Sequence, residues 1–305
     1  MGARKLRATG PEVASGKRRQ DENFPVGSLL IDRRLRPHVH AYYGFARAID
    51  DIADNTVLSA DDKLARLDAM EAALLGRPAG DAAIEAAHPA ELAHALRLRA
   101  SLALTGVPAA TATDLIVAFR QDAVQPRYQS WDQLAWYCRY SANPVGRYLL
   151  ALHGEGEASG DSEARGDSAA RMAASDALCT ALQVLNHLQD CADDLATLDR
   201  CYIPLPWLAE AGLDETVLRG RIAPAALRRV LDRLLDEVDA LNRTAARLPG
   251  LVADRRMRLE AAVIVRLSHR LAARLRREDP LAGRVKLHRV DVARSLLGAA
   301  RAWTR

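Results

Sequence analysis

The sequence predicts an all-α fold, and three observations support that prediction. Hydrophobic residues make up 49% of the 305 residues, and Ala and Leu dominate the apolar positions. Aromatic residues account for 5% of the chain, and runs of β-branched residues are scarce. Ala and Leu are strong helix formers, whereas strands are enriched in β-branched and aromatic residues. Apolar residues also recur at helical spacing over most of the chain, which favours amphipathic helices over strands.

The helices can be placed in order from this periodicity and from the breaks between the periodic segments. Pro37 can open the first helix, because proline is tolerated where the backbone N–H has no helical partner. Stretches such as LLGRPAGD, TGVPAAT and LPGL mark helix ends, since Gly and Pro interrupt regular structure. The other predicted helices run through about 60–75, 90–105, 110–123, 130–153, 169–198, 224–247, 251–277 and 288–303.

The chain divides into a short arm and one domain. Residues 1–20 are basic and lack an apolar run, so we expect a disordered arm there. The stretch 154–168 is rich in Gly, Ser and acidic residues, which is typical of a mobile insertion. Because the motifs described below lie on both sides of that stretch, residues 21–305 are predicted to form a single domain.

Composition excludes several classes of protein. No segment approaches the ~20 apolar residues of a membrane-spanning helix, and the basic arm lacks the apolar core of a secretory signal. The four cysteines form no CxxC pair, which suggests a reducing, cytoplasmic environment. A dinucleotide fingerprint is also missing: Gly154, Gly156 and Gly160 have the wrong spacing and follow no strand.

A first acidic cluster lies in RAIDDIAD, behind the apolar run YYGFA. Asp50 and Asp54 are four residues apart, so on a helix they share one face about 6 Å apart along the axis. Asp51 points to the flank. On its own this cluster is explained equally well by a solvated helix face or a cap.

A second acidic stripe lies in LQVLNHLQDCADD. Asn186, Asp190 and Asp194 fall at four-residue intervals and so form one line of oxygen ligands on a helix. This stripe alone could also face solvent. Both clusters, however, follow strongly apolar helical segments, YYGFA and ALQVL, which suggests that both project into a buried space.

Two carboxylate stripes that face each other across a bundle would repel unless cations lay between them. Carboxylate and amide oxygens suit Mg²⁺, which commonly bridges a few carboxylates to phosphate oxygens. The sequence has no HExxH motif and no Cys/His ligand set, so zinc is not expected, and the Glu-x-x-His pairs of di-iron bundles are missing as well. The residues therefore predict a magnesium and diphosphate site.

The two acidic motifs resemble those of the squalene/phytoene synthases, the head-to-head isoprenyl diphosphate synthases. FARAIDDIAD and NHLQDCADD are similar to that family's two aspartate-rich motifs, YCRYSANPVGRYLL to its central motif and DRCYIP to the segment after the second motif. Within the family, DENFPVGSLL, SANPVG and LNHLQDC most resemble the bacterial hydroxysqualene synthases of hopanoid biosynthesis. The resemblance implies an isoprenoid-synthase helical bundle with a central cavity and two facing Asp-rich motifs.

The resemblance also implies roles for individual residues. Arg47 would contact phosphate oxygens or orient a metal ligand, and the resemblance favours this role over the alternative of a plain i,i+3 salt bridge with Asp50. Tyr137 would face the reacting carbons, although a packed core tyrosine is the alternative. Gln189 stands where many condensing synthases have Arg, which suits a site for a single diphosphate. The implied metal ligands are Asp50, Asp54, Asn186, Asp190 and Asp194, and the implied substrate-binding residues are Arg47, Asp51, Gln189, Arg200 and Tyr202.

The implied reaction is the conversion of presqualene diphosphate to hydroxysqualene with capture of water, dependent on Mg²⁺ and independent of NADPH. One alternative is a synthase that condenses two prenyl diphosphates to presqualene diphosphate or a phytoene-type product. An alternative of another class is a non-catalytic bundle that binds Mg²⁺-diphosphate or serves as a membrane scaffold.

The C-terminal part is strongly basic. From Asp254 to the end, fourteen Lys and Arg residues stand against five Asp and Glu residues. An ordinary bundle helix with a solvated face explains this pattern, and a peripheral contact with anionic lipid at the inner face of the membrane is the competing interpretation. Nucleic acid is not expected as a partner, because stacking aromatics and base-reading motifs are missing. Partner enzymes of squalene and hopanoid synthesis fit the implied reaction.

Overall fold

The computed structural model describes residues 31–156 and 162–303, so the predicted arm at 1–20 lies outside the described residues. Within these ranges the regular structure is helical, with one isolated bridge between Arg127 and Cys201, and the all-α prediction is confirmed. A 3₁₀ turn, Glu215–Arg219, follows the ninth helix. The α-helices are α1 (Arg36–Ala53), α2 (Ala60–Leu75), α3 (Asp81–Ala86), α4 (Pro89–Thr105), α5 (Ala110–Asp122), α6 (Trp131–Ser141), α7 (Asn143–Leu152), α8 (Ser162–Thr197), α9 (Leu205–Glu210), α10 (Ala225–Ala245), α11 (Leu248–Leu251), α12 (Arg255–Leu275) and α13 (Arg289–Trp303).

Three helices differ from their predicted bounds by more than two residues, and three short helices, α3, α9 and α11, were not predicted. The LPGL stretch, expected to mark a helix end, forms α11, and the predicted helix 251–277 begins at Arg255, where Asp254 caps it. The predicted helix 130–153 is two helices, α6 and α7, because Pro144 has no N–H for the helical ladder and its ring would clash with the preceding turn. The predicted helix 169–198 begins earlier, at Ser162, inside the stretch expected to be a mobile insertion. Glu163, Ala164 and Arg165 are good helix formers, which explains the earlier start. Residues 157–161 of that stretch lie outside the described residues.

Local side-chain chemistry sets several helix starts. Ser59 and Asp62 form a capping box at α2, with the Asp62 N–H donating to the Ser59 hydroxyl at 3.1 Å. Ser130 caps α6, and Asp254 caps α12 by accepting from the Met257 N–H at 2.7 Å. Pro37 lies in the first turn of α1, as the sequence predicts. Of these helices, α1 and α6 contribute residues to the cavity described below.

Two large hydrophobic clusters hold the bundle together. One unites α1, α2, α4 and α5, and Phe45 and Ile49 of α1 are completely buried in it. The other unites α6, α8, α10 and α12, with Leu185 of α8 and Leu235 of α10 completely buried. Each such side chain stabilises the fold by about 1.5–3 kcal/mol through burial alone. The apolar faces of α1 and α8 are thus fixed in separate clusters, which leaves their acidic faces directed at the space between them.

Candidate active site

The two acidic motifs meet at one cavity of about 210 Å³. Asp50 and Asp54 line it from the end of α1, and Asn186, Asp190 and Asp194 line it from α8. The four-residue spacing brings the members of each stripe to one face, and packing of the two apolar clusters brings the faces together. Residues separated by more than 130 positions in the chain therefore share one site.

An arginine fork closes the first motif. The Arg47 guanidinium donates to Asp50 Oδ2 at 2.6 Å and lies 3.3 Å from Asp51 Oδ1. Arg47 and Asp50 line the cavity, whereas Asp51 is not among the described residues that do. Asp51 therefore contacts the site through Arg47, and its predicted substrate-binding role remains a prediction.

Arg200 crosses from the end of the second motif to the first. Its Nη1 donates to Asp54 Oδ1 at 2.5 Å, and its Nη2 donates to the carbonyl oxygens of Ala53 at 3.0 Å and Asp122 at 3.3 Å. The side chains of Arg200 and Asp54 are 7% and 9% exposed, so this is a buried ion pair. Asp199, the preceding residue, has a left-handed backbone (φ 52°) that places Arg200 at the turn after α8.

A second fork comes from the loop between α12 and α13. Arg284 Nε lies 2.8 Å from Asp190 Oδ1, and its Nη2 donates to Asp190 Oδ2 at 3.1 Å. Arg284 lines the same cavity. The sequence analysis did not identify it, because no local pattern marks a single Arg in a loop that lies 94 residues from its partner.

A buried carboxyl joins the two tyrosines of the site. The Tyr137 hydroxyl donates to Asp122 Oδ2 at 2.7 Å, and the Tyr202 hydroxyl donates to Asp122 Oδ1 at 3.2 Å. Burial raises the pKa of Asp122 to about 6, while Arg200 and the two hydroxyls act in the opposite direction. Burial and the neighbouring Asp122 hold the pKa of Tyr137 well above its usual value, so its phenol keeps its proton at neutral pH.

His187 contacts both the second motif and this network. Its ring stacks on Tyr202 with centroids 3.6 Å apart, and its Nδ1 lies 4.0 Å from Asp194 Oδ2. Gln183 Nε2 lies 3.2 Å from His187 Nε2, one turn earlier on α8. His187 is three residues before Asp190 and so lies near the stripe on α8, but the four-residue spacing of the stripe did not include it.

Gln189 has a different environment from the cavity residues. Its side chain is buried, and its amide donates to the backbone carbonyl of Val285 in the α12–α13 loop. It is not among the described residues that line the cavity. Its position fixes the loop that carries Arg284, and its predicted substrate-binding role stays a prediction.

The cavity combines three arginines with five aspartates. The oxygen donors on its two sides are of the type that Mg²⁺ prefers. Within residues 31–156 and 162–303, no group of three or more His, Cys, Asp or Glu side chains is close enough to hold a metal ion as it stands. The donor set fits the ion, and the arginines that contact Asp50, Asp54 and Asp190 would have to move for the ligands to converge.

The pKa of Asp122 gives a testable pH dependence of stability. Because the folded-state pKa lies above the ordinary value of 3.8, Asp122 favours folding below about pH 4, and that contribution is lost as the pH rises to about 6. We expect Asp122→Asn to remove this dependence, so that wild-type protein loses about 2 kcal/mol relative to the variant between pH 4 and 7. Urea unfolding at both pH values measures the difference. Asp193→Asn, at an exposed position of α8, serves as the control, and parallel curves for Asp122→Asn and wild type would contradict the assignment.

Comparisons with known proteins show the family of this chain. The family model described as squalene/phytoene synthase matches residues 17–291. A protein named hydroxysqualene synthase from Rhodopseudomonas palustris is 41% identical over 94% of this chain and 91% of its own length. Another of that name, from Zymomonas mobilis, is 37% identical over 92% of this chain and 87% of its own. A 15-cis-phytoene synthase from Enterobacter agglomerans is 30% identical over 75% of this chain and 74% of its own.

Solved structures share the fold. The crystal structure of squalene synthase HpnC from Alicyclobacillus acidocaldarius superposes with a TM-score of 0.67 at 33% identity, over 85% of this chain and 90% of that one. A dehydrosqualene synthase in complex with ligand gives a TM-score of 0.72 at 18% identity, over 92% of both chains. At 18% identity, the similarity to the dehydrosqualene synthase shows a shared fold and no more.

Proposed function

The chain belongs to the squalene/phytoene synthase family, and we propose that it converts presqualene diphosphate and water to hydroxysqualene and diphosphate. Relatives named hydroxysqualene synthase match 92–95% of the chain at 37–41% identity, above the phytoene synthases among its relatives. The observation that carries the proposal is the shared cavity: acidic stripes from α1 and α8 and three arginines converge on one site.

The reaction begins with cleavage of a carbon–oxygen bond, and the electron pair leaves with the diphosphate. Among the described residues that line the cavity, Arg47, Arg200 and Arg284 can hold that anion, because guanidinium forks match phosphate oxygens in pairs. The carbocation left behind rearranges and is captured by the oxygen of water, whose extra proton passes to released diphosphate or solvent. Stabilising the departing charge is the main electrostatic contribution that these side chains make.

Tyr137 contributes as a neutral phenol. Its hydroxyl donates its proton to Asp122, and its side chain lines the cavity, where the phenol can stabilise a nearby cation. A proton-bearing phenol at neutral pH is unsuited to act as the base that activates water. We therefore assign Tyr137 to stabilising the cation, with Asp122 and Tyr202 holding its orientation.

Magnesium would complete the site. Asp50, Asp54, Asn186, Asp190 and Asp194 would hold it, and the family resemblance implies that the ions neutralise diphosphate oxygens during ionisation. Asp50 forms an ion pair with Arg47, and Asp190 forms one with Arg284. A diphosphate would draw those arginines away, so anion and cation binding should support each other.

This coupling predicts cooperative stabilisation. We expect Mg²⁺ alone and inorganic diphosphate alone each to raise the melting temperature slightly, and the two together to raise it by more than the sum. Ligands that bind only the folded state stabilise it by mass action, and here each ligand frees groups for the other. Differential scanning fluorimetry of the full chain measures the shifts, with Ca²⁺ and sulfate as comparison ions. Simply additive shifts would contradict the coupling.

Product analysis tests the proposed reaction. Purified protein is incubated separately with presqualene diphosphate and with farnesyl diphosphate, each with Mg²⁺ and without NADPH. We expect hydroxysqualene from the first and no consumption of the second. Turnover of farnesyl diphosphate would assign the chain to the condensing synthases, and folded protein that converts neither substrate would support a non-catalytic role.

The chemistry of the product bears on location and partners. Hydroxysqualene is a long, water-insoluble alcohol, so we propose that the enzyme works beside a bilayer and among enzymes that supply its substrate and consume its product. None of the helices in the described part of the chain has the length and hydrophobicity needed to cross a bilayer.

A further inference from the structure

A second concave surface lies between α12 and α13, on the side chains of two amphipathic helices. This basic groove encloses about 570 Å³ and is lined by five arginines and one histidine against two carboxylates. Its lining residues are Arg266, His269, Arg270, Ala273, Arg274, Arg277, Glu278, Asp291 and Arg294. Arg266, Arg270 and Arg274 follow the four-residue spacing of one helix face.

The two carboxylates of the groove are used internally. Arg274 donates to Asp291 at 2.8 and 3.0 Å and to Glu278 at 2.7 Å, so one arginine engages both acids. Arg266 and Arg277 are exposed beside them. Counting five arginines against two acids, the groove keeps a charge of about +3 with His269 neutral. A concentrated positive surface of this kind attracts polyanions or anionic surfaces.

Exposed aliphatic side chains border the groove. Val290, Arg294 and Leu297 lie four and three residues apart on α13, hence on one face of the helix. Val290 is 56% exposed and Leu297 is 77% exposed. The arginine edge of the groove is thus continuous with an apolar strip, which is the arrangement of an interfacial helix.

We propose that the basic groove and the Val290–Leu297 strip form a docking surface for an anionic lipid bilayer. The arginines would contact lipid phosphates, and the two aliphatic side chains would enter the headgroup region. Exposed aliphatic residues gain nothing from a nucleic acid, whose binding instead favours stacking aromatics. The choice of a bilayer also rests on the proposed function, because the product is insoluble in water.

The connection to the active site supports this orientation. The loop between α12 and α13 carries Arg284, which contacts Asp190 in the cavity. Val285 in the same loop is buried and accepts a hydrogen bond from Gln189 of α8. A bilayer bound at the groove would therefore lie against the two helices whose connecting loop forms one wall of the active site.

The test is flotation of the purified full chain with vesicles of phosphatidylcholine alone or mixed with phosphatidylglycerol. We expect binding to the mixed vesicles only, weakened by salt. The double substitution Arg266→Gln and Arg277→Gln should lower the partition coefficient about 30-fold, since each basic residue at an anionic surface contributes about fivefold. The matched control, Arg221→Gln with Arg229→Gln, removes the same charge from exposed positions near and on α10 and should bind normally.

A second pair of variants tests the contribution of the apolar strip. Leu297→Ser should weaken vesicle binding about tenfold through lost apolar burial, whereas Leu104→Ser, at an 81% exposed position of α4, should leave binding unchanged. Hydroxysqualene formation in detergent micelles should be normal in all these variants, which separates a failure of docking from a failure of the proposed function.

Three results would overturn the proposal. The first is no binding to mixed vesicles, and the second is an equal loss in both arginine pairs, which would indicate a general charge effect. The third is displacement from vesicles by millimolar inorganic phosphate, or binding to duplex DNA in preference to vesicles, which would identify a soluble anion or nucleic acid as the occupant.

Discussion

Asp190→Asn is expected to lower the rate of hydroxysqualene formation by at least about 10²–10³-fold, the effect typical of removing one group that stabilises transition-state charge. Asp190 is 8% exposed and projects from α8 into the cavity. Asparagine has nearly the same shape, so the substitution removes a negative charge and one metal-binding oxygen without leaving a gap. Arg284 contacts the Asp190 carboxylate through Nε and Nη2. Its side chain is partly exposed and can turn to solvent when the negative charge of Asp190 is removed.

The expected defect is in chemistry rather than in folding. We expect the melting temperature of Asp190→Asn to stay near that of wild type. We also expect Mg²⁺ and diphosphate together to raise the melting temperature of this variant by less than they raise that of wild type. Steady-state assays with presqualene diphosphate measure the rate, and fluorimetry measures the response. Asp193→Asn, three residues along the same helix but exposed, is the matched control and should behave as wild type. Full activity in Asp190→Asn would show that the second motif does not act in the reaction.

The acidic stripes could be predicted from sequence because each is a local pattern. Asn186, Asp190 and Asp194 depend only on the periodicity of one helix, and their apolar neighbours indicate which face is buried. The same holds for Asp50 and Asp54, even though α1 ends at Ala53. The Asp54 N–H still donates to the Asp50 carbonyl at 2.8 Å, so the helical register continues through the motif.

Asp122 and Arg284 could not be predicted in the same way. Asp122 ends α5 and reaches the site only because α5 and α6 pack together, which brings its carboxyl to Tyr137. Arg284 depends on how the α12–α13 loop folds back to α8, a contact fixed by Val285 and Gln189. Tertiary packing decides both positions, and nothing in a window of neighbouring residues encodes it.

The helix bounds show the same difference between features set by local sequence and features set by tertiary packing. Periodicity placed α2 and α4 closely, since capping residues and glycines mark their ends. It missed the break between α6 and α7, where Pro144 stands inside an otherwise helical pattern. That break has a structural use, because Asn143 beside it accepts a buried hydrogen bond from Thr180 of α8 at 3.0 Å. The break that periodicity did not detect is therefore also a place where α7 contacts α8.

Arg200→Ala is expected to have the largest effect on stability. Removing one partner of a buried ion pair costs about 3–5 kcal/mol, because the other charge is left without compensation. Here the Asp54 carboxylate would lose its ion-pair partner at 9% side-chain exposure, and the carbonyl oxygens of Ala53 and Asp122 would lose a donor. Activity should fall as well, since Arg200 is one of three cations that can hold the diphosphate.

A double-mutant cycle separates the two effects. Asp54→Asn in the Arg200→Ala background removes the stranded charge, so we expect it to restore part of the free energy of unfolding while activity stays low. The control is Arg147→Ala, which breaks an ion pair of similar geometry, 2.6 Å from Asp176, at about one quarter exposure on each side. Partly exposed pairs contribute at most about 1 kcal/mol, so the control should change stability little. If Arg200→Ala were no more destabilising than Arg147→Ala, or if the double variant lost stability additively, the buried pair would not be holding the two acidic motifs together. Urea unfolding of the four proteins in the cycle and of the control decides between these outcomes.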